Sequence, residues 1–148
     1  AEGDNDSKLK KKITYALKNK INVIFCVGEN KVQKNKKLTN RVLNKQLTNV
    51  LEKKFNRRNI IIAYEPIWSI GTGKIPQTSE LIKTIIFIKK SLKKIFKTND
   101  VIKVLYGGSV DSSNIRQFNS IKILDGFLIG GASKTSKKFI DIIKNYYR

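Results

Sequence analysis

Glu65 closes an otherwise apolar run, Ile60-Ile61-Ile62-Ala63-Tyr64, and is followed at once by Pro66. A carboxylate at the end of a buried strand is partly desolvated, which makes it a competent proton acceptor near neutral pH. An acid in that place can also serve a salt bridge or the start of a helix, but the residues after Glu65 favour the base. Pro66 stiffens the exit from the strand. Ile67, Trp68 and Ile70 are large apolar groups where a loop should be polar, with Ser69 between them. Gly71 and Gly73 flank Thr72 and bring flexible backbone with bare N–H groups, and Lys74 ends the segment. A loop with a proline hinge, an apolar body and a glycine tip is suited to close over a bound molecule and exclude water.

Two further loops suit a phosphate. Tyr106-Gly107-Gly108-Ser109-Val110 pairs bare backbone with a hydroxyl donor, and Gly130-Gly131-Ala132-Ser133 stands at the start of a helical stretch. Free N–H groups and the helix dipole favour an anion at such a place. A tight turn alone accounts for any one of these glycines. Seven of the nine, however, lie just beyond the ends of four apolar runs. Loops that follow successive parallel strands share one rim, where α/β proteins bind their ligands.

Those loops need elements to carry them. Residues 21–27, 60–64, 102–106 and 124–129 are short β-branched runs that read as strands buried on both faces. Residues 38–55 place Leu38, Val42, Leu43, Leu47, Val50 and Leu51 on one helical stripe. Residues 81–96 do so with Leu81, Ile85, Ile88, Leu92 and Ile95, behind Thr78 or Ser79 as N-cap with Glu80 in the first turn. Residues 8–18 form an opening helix and residues 139–147 a closing one. Strand and helix alternate, so the class is α/β with a parallel sheet, in a single domain over residues 1–148.

Composition narrows the function. The chain has 148 residues, 40% apolar and 28% charged, enough for one hydrophobic core. It holds no apolar run of membrane-spanning length and no leader-like segment. It lacks methionine, so Ala1 is not read as a translation start. A net charge of +20 invites nucleic acid. The lysines, though, spread over every helix and alternate with apolar positions, as solvated faces do, and no RNA-recognition signature or zinc spacing accompanies them. Cys26 is the sole cysteine, which excludes an intrachain disulfide and fits a reducing, cytoplasmic setting; inside its run it reads as a small buried hydrophobe.

The segment YEPIWSIGTGK at residues 64–74 resembles the signature of the triosephosphate isomerase family around its catalytic glutamate and lid, with Ser69 where Ala is usual. CVGE at 26–29, YGGSV at 106–110 and DGFLIGGAS at 125–133 follow that family's order, and Gln46 and Asn114 fall where it holds those residues. The resemblance runs from end to end and implies the C-terminal half of a (β/α)8 barrel, about four βα units. It implies interconversion of dihydroxyacetone phosphate and glyceraldehyde 3-phosphate through an enediolate, in glycolysis and gluconeogenesis. Glu65 would be the base, with Gly71, Ser109, Gly130 and Gly131 on the phosphate. Residues 66–74 would be the lid, and Glu29 a hydrogen-bonding residue near the rim. A small phosphorylated triose and a homodimer of the full-length protein are implied as partners, with no cofactor and no metal.

The chain departs from the family in two respects. It contains no histidine to polarise the substrate carbonyl, and no strand precedes residue 21 to carry the family's Asn–x–Lys pair. Alone, it is therefore expected to be inactive. A non-catalytic half-barrel module and another phosphate-binding barrel isomerase stand as alternatives.

Overall fold

The computed structural model describes residues 4–147; Ala1, where the domain was expected to begin, and Arg148 lie outside them. Three parallel strands form one sheet: β1 (Val23–Val27), β2 (Ile60–Tyr64) and β3 (Val104–Tyr106), in that order. Val23 pairs with Ile60 and Val27 with Tyr64, while Ile62 pairs with Val104 and Tyr64 with Tyr106. The strands therefore end level, and the loops after them emerge on one rim.

Helices α1 (Asp6–Lys18), α3 (Thr39–Val50) and α4 (Thr78–Phe96) cover one face of this sheet, with a five-residue α2 (Lys31–Asn35) after β1 and α5 (Ser136–Tyr146) at the end. The stripes are those the spacing predicts. Leu43, Leu47 and Val50 of α3, and Leu81, Ile85, Ile88 and Leu92 of α4, are buried. They meet Phe25, Val27, Ile60, Ile62, Tyr64, Val104 and Tyr106 in one core. Each buried Leu or Ile contributes roughly 1.5–3 kcal/mol relative to exposure.

Several boundaries differ from expectation. The 38–55 helix ends at Val50 because Leu51 turns extended (ψ 141°), which lets Phe55 return to the core. Neither Thr78 nor Ser79 caps α4; Gln77 holds that place without a side-chain bond, and Glu80 sits in the first turn, paired with Lys34 at 2.8 Å. Residues 124–129 are not a strand. They meet β3 at one parallel bridge, Phe127 to Tyr106, with Tyr106 N–H donating to Gly126 O (3.0 Å) and Leu128 N–H to Tyr106 O (2.9 Å). Among the described residues no further strand engages the outer rail of this segment, and Gly126 at φ 150° breaks its extended run.

The strands are not buried on both faces either. The helices cover the set containing Phe25 and Val27, while most of the alternate set stays open: Ile24 is 46% exposed and Ile61 and Leu105 are half-buried, with only the small Ala63 of the central strand fully buried. Cys26 belongs to this second set and is exposed, contrary to its expected burial, because no element packs over that face among the described residues. Period-two exposure in an all-apolar parallel strand marks a surface that lacks its cover.

Candidate functional site

The backbone of Glu65 is fixed by the strand ladder, its N–H donating to Val27 O at 2.8 Å. Its side chain is half-buried and lies against Gly107, where an added Cβ would come within 2.6 Å of Glu65 Cγ and 2.7 Å of Oε1. Gly107 therefore shapes the seat of the carboxylate, a role its position in a GG pair does not reveal. Cys26 stands beside Glu65 on the neighbouring strand. Partial burial of its sulfur, and then the hydrogen bond and negative charge of Glu65, push the thiol up to about 12.

Residues 66–74 form a compact series of turns. Ser69 N–H donates to Pro66 O (2.8 Å), and Thr72 Oγ1 bonds Trp68 O (3.2 Å) and Ser69 O (3.1 Å). Gly71 and Gly73 take positive φ, 67° and 72°, which L side chains rarely adopt. The base of the loop is tied to Glu29, which is fully buried. Trp68 Nε1 donates to Glu29 Oε1 at 2.8 Å, Tyr64 Oη reaches both carboxylate oxygens at 3.2 Å, and Ile67 N–H donates to Glu29 O at 3.0 Å. Lys31 and Lys34 place their ammonium groups 5.3 and 5.6 Å from the Trp68 ring centre. Glu29 is thus the hydrogen-bonding residue expected of it.

The tip of the loop rests on the Ser109 loop. Gly73 N–H donates to Ser109 Oγ (3.0 Å), which donates to Ser69 O (2.8 Å). Two carboxamides hold the surrounding backbone. Gln46 exchanges two 3.0 Å bonds with Gly28 N–H and C=O, and Asn114 accepts from Asp111 N–H (3.0 Å) while donating to Ser109 O (3.3 Å). Asp111 Oδ1 accepts from Ser113 Oγ and from the N–H groups of Ser113 and Asn114; these bonds hold its carboxyl below the usual range despite partial burial.

A cleft of about 450 Å³ gathers Glu65, Gly71, Ser109, Gly130 and Gly131 on one lining, together with Ile70 and Gly73 of the loop. All five residues singled out for base and phosphate roles therefore share one cavity; Ile67 and Trp68 do not line it. Among the described residues, the N–H groups of Gly71, Gly130 and Gly131 have no protein acceptor. Residues Gly131–Lys134 form a 3₁₀ turn that leads into α5. The lining carries two carboxylates, Glu65 and Asp111, and no Lys or Arg, and no cluster among the described residues could hold a metal.

Spacing alone does not reveal Tyr64 and Tyr106, whose hydroxyls reach Glu29 and Ser69; the one hint is a tyrosine, with its polar tip, closing β2 and β3. Burial raises both phenols, Tyr106 to about 12 and Tyr64 further, with the Glu29 carboxylate adding to the effect on Tyr64. Folded, each keeps its proton where the unfolded chain gives it up. Their contribution is therefore intact below pH 10 and is lost as pH rises towards the folded values. Between pH 10 and 12, Tyr106→Phe is expected to flatten the fall in unfolding free energy by roughly 1.4 kcal/mol per pH unit, read by urea titrations across that range.

Comparison with known proteins bears on what this cleft does. The family model described as triosephosphate isomerase matches residues 1–146. Triosephosphate isomerase of Thermodesulfovibrio yellowstonii is 37% identical over 143 residues, covering 95% of this chain and 58% of the relative. That of Mycoplasma mobile is 40% identical over 144 residues, covering 95% and 56%, and that of Leptospira biflexa 38% identical over 139 residues, covering 90% and 56%. The chain spans little more than half the length of the curated relatives it matches.

Proposed function

The chain belongs to the triosephosphate isomerase family, and on that footing we propose that it is the second half of a (β/α)8 barrel, bearing the base and the phosphate grip of an isomerase. The observation that carries the reading is the single cleft lined by Glu65 and by Gly71, Gly130 and Gly131, whose N–H groups have no protein acceptor among the described residues. The uncovered sheet face and the unpaired rail of residues 124–129 support the half-barrel, because closing a barrel of this kind takes eight strands.

In the completed barrel, Glu65 takes the proton from the carbon next to the carbonyl of a triose phosphate and returns it to the neighbouring carbon, interconverting dihydroxyacetone phosphate and glyceraldehyde 3-phosphate. Gly71, Gly130 and Gly131 hold the phosphate through backbone N–H groups together with the Ser109 loop, and the Ser109 hydroxyl also fastens the lid that covers it. The lid comprises Pro66, Ile67, Trp68, Ser69, Ile70, Thr72, Gly73 and Lys74 with Gly71. The enzyme works in the cytoplasm as a homodimer of the full-length protein. The scattered lysines are solvated helix faces, not a nucleic-acid groove, and no helix among the described residues is long and apolar enough to cross a membrane.

A cleft with two carboxylates and no cation draws a phosphate dianion poorly, and no histidine is present to polarise a carbonyl. Purified residues 1–148 alone are therefore expected to show no isomerase activity above background and to self-associate through the open sheet. Adding the first four βα units of a relative should restore turnover. Robust activity from residues 1–148 alone would overturn the reading, as would a well-assembled barrel with none.

A further inference from the structure

Ser69 is fully buried, and its hydroxyl is saturated. A serine hydroxyl offers one proton and two lone pairs. Ser69 Oγ gives its proton to Lys74 O at 2.5 Å, so it can only accept from its other neighbours. Tyr106 Oη donates to it at 3.0 Å and Ser109 N–H at 3.3 Å. One side chain near the start of the lid thereby grips the lid's far end, the end of β3 and the Ser109 loop. Tyr106 is itself fully buried, and Ser69 is the partner of its hydroxyl. The Ser69 backbone repeats the link, since its carbonyl accepts from Ser109 Oγ, which in turn takes the Gly73 N–H.

We propose that Ser69 is a positioning residue whose hydroxyl latches the lid shut: it joins residues 69 and 74 into one rigid loop and seats that loop on Tyr106 and Ser109. The inference rests on residues 66–74 being a lid over the Glu65 cleft. Alanine there would leave the buried Tyr106 hydroxyl without its acceptor and free the two ends of the loop from each other, while leaving the fold of the sheet intact.

Amide hydrogen exchange tests the latch in the protein itself. Ser69→Ala is expected to speed exchange at the Gly73 and Ser109 amides at least tenfold and to leave the Ile62 amide, bonded to Lys103 O at 3.0 Å in the sheet, unchanged. Unchanged protection at Gly73 and Ser109 overturns the proposal, and so does an equal rise at Ile62, which would make Ser69 a general stabiliser. Tyr106→Phe should loosen the same two amides less than Ser69→Ala and add little to it, because the pair shares one bond; full additivity overturns the shared latch. In a completed barrel, Ser69→Ala should weaken a phosphorylated enediolate mimic about tenfold and the substrate less; an unchanged inhibition constant overturns a role in closure. If that barrel lacks isomerase activity with Ser69 intact, the functional reading fails while the exchange result stands by itself.

Discussion

Turnover of the completed barrel is expected to fall by about a thousandfold or more when Glu65 is replaced by Gln, since a positioned general base is worth roughly 10²–10⁴ in rate and no other proton acceptor faces the cleft from the right place. Gln keeps the length and planarity of the side chain, so its seat against Gly107 survives and the lid contacts, which use other residues, are untouched. Asp111, the other acid of the lining, is committed to Ser113 and Asn114 and is a poor substitute. KM should change little, because the proposed phosphate grip uses backbone N–H groups and not Glu65; the loss then falls on kcat. A loss below about tenfold would move the base elsewhere. Gly107→Ala is a useful companion. It leaves the carboxylate in the chain but drives a methyl to within 2.6 Å of Glu65 Cγ, so it should lower kcat by displacing the base without removing it.

The helices and three strands were legible because their signals are local: apolar residues at helical spacing, β-branched runs and glycines after strands. The shared cleft was legible for the same reason, since loops after parallel strands must meet on one rim. Two kinds of fact were not. The first depends on what lies opposite: Ile24 and Cys26 look like core in the sequence, yet among the described residues nothing packs over them, and residues 124–129 look like a strand but have one pairing neighbour. The second is side-chain bonding across long separations. Trp68 and Glu29 stand 39 residues apart and Ser69 and Tyr106 37 apart, with no periodicity to link them. Each of these contacts ties the 66–74 loop to the scaffold, and each depends on the strands being in register.

Deleting the lid tip, residues 70–73, is expected to do two separable things in the completed barrel. It removes the Gly71 N–H proposed to hold the phosphate and the Gly73 bond to Ser109, so the loop can no longer seat on its neighbour. Proton transfer by Glu65 should slow by about 10²-fold or more, because closure both aligns the reacting carbon and strengthens every charge interaction in a drier cavity. The second effect concerns the product. An enediolate phosphate exposed to water can expel its phosphate, so a larger share of turnovers should end in inorganic phosphate and a dehydrated ketoaldehyde. Affinity for an enediolate mimic should also fall further than affinity for the substrate, since the lid grips hardest near the transition state. The two effects have different physical origins, alignment in one case and water exclusion in the other. Measuring kcat/KM together with the phosphate released per substrate consumed separates them. A slower enzyme with no rise in phosphate release would leave the lid as an aligning element alone. The apolar side chain of Ile70, which lines the cleft although half of it is exposed, would then need another explanation than keeping water out.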